Sequence, residues 1–101
     1  MATPVSLSTG RSADGQIVVT AAGELDMSNI DDFGRLLAEA AEQTDGKSVQ
    51  VDLRGVEYLD SGAINILFEY ADHIRVLANT ILMPVLEVSR ITDVTTVEPG
   101  G

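Results

Sequence analysis

Short stretches in which apolar and polar residues alternate recur along the chain, and this period of two predicts β-strands. Residues 5–9 (VSLST) alternate in this way, and residues 16–22 (QIVVTAA) are rich in the β-branched side chains that strands favour. Residues 48–53 (SVQVDL) place three apolar side chains on one face. Residues 74–78 (IRVLA) and 93–98 (DVTTVE) complete the pattern. The sequence therefore predicts five strands, and the Asp-Gly pair between the first two predicts a hairpin turn.

Apolar residues also recur at the three- and four-residue spacing of a helix. The first such stripe follows the second strand and consists of Ile30, Phe33, Leu37, Ala40 and Ala41. Ser28 and Asp31 have the spacing of a capping box, so we expect the helix to begin there and to end at Asp45-Gly46. Gly34 lies inside this helix and should cost about 1 kcal/mol of stability relative to Ala.

Two further helices are predicted in the second half of the chain. One covers about residues 61–73, where apolar residues follow Ser61 at once. The other begins after a cap at Asn79-Thr80 and runs to about Arg90. Pro84 is compatible with this third helix only if it lies in the first turn.

The predicted element order is ββαβαβαβ. Because strands and helices alternate in the second half, the connections should be right-handed crossovers within a largely parallel sheet. We therefore expect one α/β domain over residues 1–101, with a mixed, mostly parallel sheet and the helices packed largely on one face. Residues 99–101 are expected to form a flexible tail.

The chain is strongly acidic, with 16 Asp and Glu residues against 6 Lys and Arg, and its formal net charge is −10. The basic residues are scattered along the sequence rather than clustered. Nucleic acid is therefore not the expected partner, because binding to phosphates needs clustered Lys and Arg. Two explanations of the acidic surface stay open, a basic protein partner and solubility alone.

The residue patterns of most catalytic and metal sites do not occur in the sequence. Cysteine is absent, which removes disulfides and thiolate chemistry, and His73 is the only histidine. No Gly-rich phosphate-binding motif is present, and the acidic residues near Asp26, Asp31 and Asp32 lack the order of a calcium loop. We therefore expect a protein that is not an enzyme and that has no cofactor and no metal.

The sequence also shows no targeting signal and no membrane-spanning segment. The first residues, MATPVSLSTGR, lack the charged start and apolar stretch of a signal peptide. A membrane span needs about 20 apolar residues, and the longest candidate, residues 74–88, is interrupted by charged and polar side chains. The sequence predicts a cytoplasmic protein without membrane insertion.

The strongest candidate for a functional role is the Asp60-Ser61 pair in front of the second helix. Both residue types are favoured N-caps, and such a cap contributes about 0.5–2 kcal/mol whatever the protein does. The helix that follows, however, has two apolar stripes, Ile64, Leu67, Phe68 and Ala71 on one side and Ala63, Ile66 and Tyr70 on another. Ser61 is thus either a cap only or a hydroxyl for modification beside a docking surface, where a phosphate would add about −1.5 to −2 charges.

Several segments resemble the STAS domain family, and most closely its stand-alone bacterial members, the anti-sigma factor antagonists. They are G-E-L-D at 23–26, V-D-L-R-G-V-E-Y-L-D-S at 51–61 and the apolar helix that follows. The resemblance covers nearly the whole chain and implies a STAS-like fold.

The resemblance also implies a function. In that family, the serine directly after the aspartate is phosphorylated by a partner kinase, which is the anti-sigma factor itself; by position these residues are Ser61 and Asp60. The unphosphorylated chain should then bind a serine-kinase anti-sigma factor and free the sigma factor for transcription. Phosphorylation should release the complex, and a serine phosphatase should restore it. The expected partner-binding residues are Asp26, Ser28, Asn29, Asp60, Ser61, Gly62, Ala63 and Ile66.

The chain departs from the family pattern directly after Ser61. The family usually continues D-S-[ST]-G-[LIV], whereas Gly62-Ala63-Ile64 follow here, so the second hydroxyl is absent and the glycine lies one position early. One alternative is therefore a STAS subunit that regulates a membrane transport system through its cytoplasmic ATPase and needs no phosphoserine. A small ligand- or nucleotide-binding domain is a further alternative.

Overall fold

A computed structural model describes residues 5–44 and 47–100, and in them strands and helices follow the predicted order ββαβαβαβ. The strands are β1 (Ser6–Arg11), β2 (Ile17–Leu25), β3 (Val49–Leu59), β4 (Ile74–Ala78) and β5 (Thr96–Pro99). The helices are α1 (Ile30–Gln43), α2 (Ser61–Glu69) and α3 (Met83–Ser89), and the 3-10 turns Ala71–His73 and Ile91–Asp93 follow α2 and α3. None of the helices in this part of the chain is long and apolar enough to cross a membrane.

The strands form one mixed sheet in the order β1-β2-β3-β4-β5. β1 is antiparallel to β2, whereas β2, β3, β4 and β5 are parallel to one another. Each α-helix connects two neighbouring parallel strands, and crossovers of one hand place all three helices on the same face. The predicted α/β class, mixed sheet and one-sided helices are confirmed.

The core lies between that face of the sheet and the helices. Its strand residues occupy alternating positions, namely Ile17, Val19 and Ala21 on β2, Val49, Val51 and Leu53 on β3, and Ile74, Val76 and Ala78 on β4. Phe33 and Leu37 of α1 pack onto this layer and are fully buried. The opposite face carries polar and half-buried apolar residues, among them an ion pair between Arg54 and Asp52 at 2.8 Å. One face of the sheet is therefore buried under the helices, and the other is partly exposed to solvent.

β3 extends to Leu59 instead of ending at Leu53 as predicted. Its pairing with β2 shifts register twice, and the buried positions change from every second residue to Leu53, Val56 and Leu59. Gly55 lies at the first shift, where a Cβ atom would come within 3.0 Å of the Ala22 Cβ atom. The glycine therefore permits a close approach inside a continuing strand and does not interrupt it.

Asn79 links the extended part of β3 to the turn before α3. Pairing between β3 and β4 ends at Leu53 and Ala78, and the next carbonyl groups of β3 are reached by a side chain instead. The Asn79 Nδ2 atom donates to the carbonyl oxygens of Arg54 at 3.0 Å and Val56 at 2.7 Å. Its Oδ1 atom accepts from the backbone N–H of Leu82 at 2.9 Å, which starts the turn that leads into α3.

Some predicted ends of helices are wrong. The capping box is not formed, because α1 begins at Ile30 with Asn29 as N-cap and no side-chain capping bond. α1 ends at Gln43, and the predicted end at Asp45-Gly46 lies outside the described residues. α2 ends at Glu69, before a 3-10 turn, and not at residue 73. α3 begins only at Met83, with Pro84 in its first turn as the sequence required.

The chain end belongs partly to the sheet. Pro99 is in β5 and pairs with Ala78, and the Gly100 N–H donates to the Ala78 carbonyl oxygen at 2.7 Å. These two residues therefore do not form the predicted tail, and Gly101 lies outside the described residues.

Candidate partner-binding site

Asp60, and not Ser61, caps helix α2. The Asp60 backbone is extended, and its Oδ1 atom accepts from the Ala63 N–H at 2.9 Å, which is the geometry of an N-cap. Ser61 is the first residue of the helix, and its side chain is exposed. The interpretation of Ser61 as a cap is therefore wrong, because the adjacent carboxylate already fills that position.

Asp60 is held against the end of β2. Its backbone N–H donates to the Leu25 carbonyl oxygen at 3.0 Å, and Leu25 is also in register with Leu59. The parallel pairing of β2 and β3 therefore brings the segments that follow them, residues 26–29 and 60–62, to the same edge of the sheet. We call this pair of segments the carboxyl-edge corner.

The first segment of the corner is a turn held by the Asp26 side chain. The Asp26 Oδ1 atom accepts from the Ser28 backbone N–H at 2.9 Å and from the Ser28 hydroxyl at 2.5 Å. These hydrogen bonds from Ser28, the hydroxyl first and the N–H second, hold the pKa of Asp26 below its usual value. The carboxylate is therefore ionised at neutral pH and fixed in the turn.

Asn29 ties the same turn back to β2. Its Oδ1 atom accepts from the Asp26 N–H at 3.0 Å, and its Nδ2 atom donates to the Glu24 carbonyl oxygen at 2.8 Å. Both donor and acceptor sides of the amide are thus used by backbone groups. Asn29 acts as a brace for the turn, and its side chain is half-buried in this role.

Gly62 is the contact between the two segments of the corner. A Cβ atom at Gly62 would come within 2.8 Å of the Ile30 Cδ1 atom, so the Ile30 side chain lies directly over the glycine. A larger residue at position 62 would require the end of the Ile30 side chain to shift. A second contact of the same kind lies one turn further along, where the Ile66 Cδ1 atom is 3.4 Å from the position of a Gly34 Cβ atom.

The buried stripe of α2 differs from the predicted one. Ala63 and Leu67 are its buried positions, and Ala71 is buried in the 3-10 turn that follows, whereas Phe68 is 38% exposed. Ala63 is fully buried, so its predicted place on the docking surface is wrong, because no partner reaches a side chain that the monomer already covers. Ile66 is only partly buried and packs against the core.

The surface of the corner combines carboxylates with one apolar side chain. No Lys or Arg occurs within four residues of Met27 or Ser61 along the chain, whereas those two windows hold Glu24, Asp26, Asp31, Glu57 and Asp60. Met27 is 84% exposed. In residues 5–44 and 47–100 no group of three or more His, Cys, Asp and Glu side chains is arranged to hold a metal ion. Ser61 is exposed at this corner, so its hydroxyl is accessible to solvent.

The sequence places Asp26, Ser28 and Asn29 in the expected partner contact with Met27 between them, whereas the helical spacing predicts Ile30 only as part of the core stripe of α1. Met27 breaks the pattern in a recognisable way, since it is a large apolar residue between Asp26 and Ser28 that belongs to neither the strand nor the helix periodicity.

Comparison with known proteins places this architecture in a family. The family model described as "Mlab, STAS domain" matches residues 8–92. The chain therefore belongs to the STAS domain family, as its G-E-L-D and V-D-L-R-G-V-E-Y-L-D-S segments indicated. The comparison with curated proteins found no significant match.

Solved structures share the fold closely. An anti-sigma factor antagonist from Mycobacterium paratuberculosis superposes with a TM-score of 0.86 at 18% identity, covering 99% of this chain and 92% of that chain. The anti-sigma factor antagonist SpoIIAA in its unphosphorylated form superposes with a TM-score of 0.73 at 12% identity, covering 91% of this chain and 87% of that chain. At these identities the likeness establishes the fold.

Proposed function

We propose that this chain is an anti-sigma factor antagonist controlled by phosphorylation of Ser61. Its unphosphorylated form binds an anti-sigma factor with serine-kinase activity and thereby frees a sigma factor. Phosphorylation by that kinase releases the complex, and a serine phosphatase reverses the modification. The protein acts by binding and not as an enzyme.

One observation carries the proposal: the Ser61 hydroxyl is exposed at the start of α2 while Asp60 alone provides the cap. A serine needed for capping would be protected by its own hydrogen bond, and its modification would damage the helix. Here the Ser61 hydroxyl does not cap the helix. Its modification therefore changes the surface of the corner without removing the cap. The names of the structural relatives, which are anti-sigma factor antagonists, support the same role.

A phosphate at Ser61 would weaken a protein contact for electrostatic reasons. It brings a charge of about −1.5 to −2 next to the carboxylate of Asp60. If a partner covers Ser61, this charge must be stripped of water, and an uncompensated charge in an interface costs several kcal/mol. The helix dipole offsets only about 0.3–1 kcal/mol of this at an exposed position.

The decisive experiment combines phosphate mapping with binding. The purified chain is incubated with its anti-sigma factor kinase and ATP, and the phosphorylated residue is located by mass spectrometry. Phosphate is expected on Ser61, and Ser61→Ala is expected to bind the kinase and to resist release by ATP. Ser61→Asp should bind more weakly, and the phosphorylated protein more weakly still, because its charge and bulk are larger.

One control variant tests whether phosphorylation is specific to Ser61. Ser89→Ala changes a half-buried serine, whose hydroxyl donates to the Leu86 carbonyl oxygen, and this variant should be phosphorylated at Ser61 like the wild type. Phosphate on Ser48 or Ser89 only, or normal binding by Ser61→Asp, would contradict the proposal.

A second candidate function is regulation of a membrane transport system through its cytoplasmic ATPase. The residues after Ser61 favour it, because Gly62 lacks the second hydroxyl of the family pattern and a constitutive binder needs no phosphoserine. Affinity purification with mass spectrometry distinguishes the two roles. An anti-sigma kinase in the bound fraction supports the first, and a transporter ATPase together with an unmodified Ser61 supports the second.

A further inference from the structure

Met27 has the largest exposed fraction of any large apolar side chain in residues 5–44 and 47–100, at 84%. Single exposed apolar residues are common on protein surfaces, so exposure alone has no meaning. Met27 differs from the other exposed apolar residues because it lies in a turn that several hydrogen bonds hold in place beside Asp60 and Ser61.

The turn that carries Met27 is braced on both sides. The Asp26 carboxylate accepts from the Ser28 N–H, and the Asn29 amide bonds both the Asp26 N–H and the Glu24 carbonyl oxygen. The backbone N–H groups of Asn29 and Ile30 both donate to the Asp26 carbonyl oxygen at 3.0 Å. The position of the Met27 Cα atom is therefore fixed before any partner arrives. A preorganised anchor loses less conformational entropy on binding than one on a mobile loop.

The anchor also lies in the corner that contains Ser61. Leu25 accepts from Asp60 and is followed two residues later by Met27, and Ile30, at the end of the same turn, covers Gly62. A protein that touches Ser61 from the carboxyl edge of the sheet therefore meets the Met27 turn as well.

We infer that Met27 is the apolar anchor of the partner contact, and that the partner receives it in an apolar pocket with a rim of Lys and Arg side chains. The inference deepens the proposed function and rests on it. Methionine suits this role, because its flexible and polarisable side chain adapts to the shape of a pocket. Charge complementarity defines the rim, since the windows around Met27 and Ser61 hold five carboxylates and no basic residue.

A second copy of this chain does not fit that description. Two copies would bring the same carboxylates together, and each chain carries a formal net charge of −10. Like charges placed across an interface oppose association. The occupant is therefore a different protein with a basic surface, which in the proposed function is the anti-sigma factor kinase.

The test measures the affinity of the purified kinase for wild type, Met27→Ser and Met27→Leu by isothermal titration calorimetry. Met27→Ser should raise Kd about tenfold to a hundredfold, the range expected for removing one buried apolar side chain. Met27→Leu should restore most of the affinity. Thermal unfolding should be unchanged in both variants, because the side chain is almost fully exposed in the free protein.

Val88→Ser is the matched control. Val88 is 81% exposed, and it lies at the far end of α3, which runs from the carboxyl end of β4 towards the opposite edge of the sheet. This variant should bind the kinase like the wild type. If Met27→Ser and Val88→Ser weaken binding equally, exposed apolar area as such matters, and the anchor is refuted.

The basic rim of the pocket is tested by the salt dependence of the association rate. The association rate should fall as added salt shortens the Debye length from about 10 Å towards about 3 Å, and an unchanged rate would refute the basic rim. A wild type that binds no kinase would refute the proposed function and this inference together. A wild type that binds while Met27→Ser binds equally well would refute the inference alone.

Discussion

Two turns at opposite ends of the sheet use the same local chemistry. In the β1–β2 hairpin, the Asp14 carboxylate accepts from the Ser12 hydroxyl and from the Gln16 N–H. In the carboxyl-edge corner, the Asp26 carboxylate accepts from the hydroxyl and the N–H of Ser28. These hydrogen bonds lower the pKa of both aspartates.

The two turns differ in what surrounds them. The hairpin turn is exposed throughout residues 11–15, carries no large apolar residue and has Lys47 close enough to lower the pKa of Asp14 further. The corner turn is braced by Asn29, packs through Ile30 onto α2 and presents Met27. The same aspartate–serine motif is thus a simple chain reversal in one place and part of a candidate interface in the other. The corner turn differs from the hairpin turn because Asn29 and Ile30 attach it to β2 and to α2.

Removing the brace should have the largest effect on stability. Asn29→Ala leaves the Asp26 N–H and the Glu24 carbonyl oxygen without their partner, and it should lower the free energy of unfolding by about 1–3 kcal/mol in urea denaturation. Ser12→Ala in the hairpin turn should stay within about 0.5 kcal/mol of the wild type. Equal losses in the two variants would mean that the corner turn is no better anchored than the hairpin.

The cap of α2 should rank next. Asp60→Ala should cost about 0.5–2 kcal/mol, because the Ala63 N–H loses its acceptor. Ser61→Ala should change stability by less than about 0.5 kcal/mol, since Ser61 is inside the helix and exposed. Chemical denaturation of both variants measures the difference, and a loss at Ser61 as large as that at Asp60 would return the capping role to the serine.

A glycine of α1, the helix that follows the corner turn, and a glycine of the hairpin turn should respond to alanine substitution with opposite signs. Gly34→Ala should stabilise the protein by up to about 1 kcal/mol, because the added methyl group would lie in ordinary contact with Ile66 and the helix gains a better former. Gly15→Ala should destabilise by about 1–2 kcal/mol, because Gly15 has a φ of +86° in the hairpin turn. Thermal unfolding measures both effects, and a lower melting temperature for Gly34→Ala than for Gly15→Ala would contradict the prediction.

The pH dependence should be the smallest effect. Because the pKa of Asp26 is lower in the folded than in the unfolded chain, its contribution to stability is complete above the unfolded pKa of about 3.9. The contribution is lost as the pH falls through the lower folded value. Asp26→Asn should therefore flatten the loss of stability below about pH 4, measured by urea denaturation at several pH values. Asp14→Asn serves as the hairpin counterpart, and an unaltered slope in both variants would contradict the assigned hydrogen bonds.

The sequence predicted the fold well because the alternation of strand and helix patterns restricts the topology. Parallel pairing of β2 with β3 then brings residues 26–29 beside Asp60 without any further information. The register shifts around Gly55 were not predictable, since a glycine indicates a break and a bulge equally well. The choice of cap was not predictable either, because Asp60 and Ser61 are both favoured at that position.

The buried face of α2 shows a different limit. A helix that is apolar on two sides does not reveal from its sequence which stripe faces the sheet. The structure buries Ala63 and Leu67 of this helix, and the partly buried Ile66 side chain lies against Gly34 of α1. That arrangement depends on α1, whose position no local pattern in α2 encodes.

The Asn79 side chain limits strand pairing at the part of β3 that extends beyond β4. Where β4 stops, β3 continues with carbonyl groups that another chain's strand could use as a template for pairing. The Asn79 amide occupies the carbonyl oxygens of Arg54 and Val56, and so a single side chain acts as a substitute for a neighbouring strand. These two carbonyl oxygens of the extended part of β3 are therefore not available for pairing with a strand of another chain.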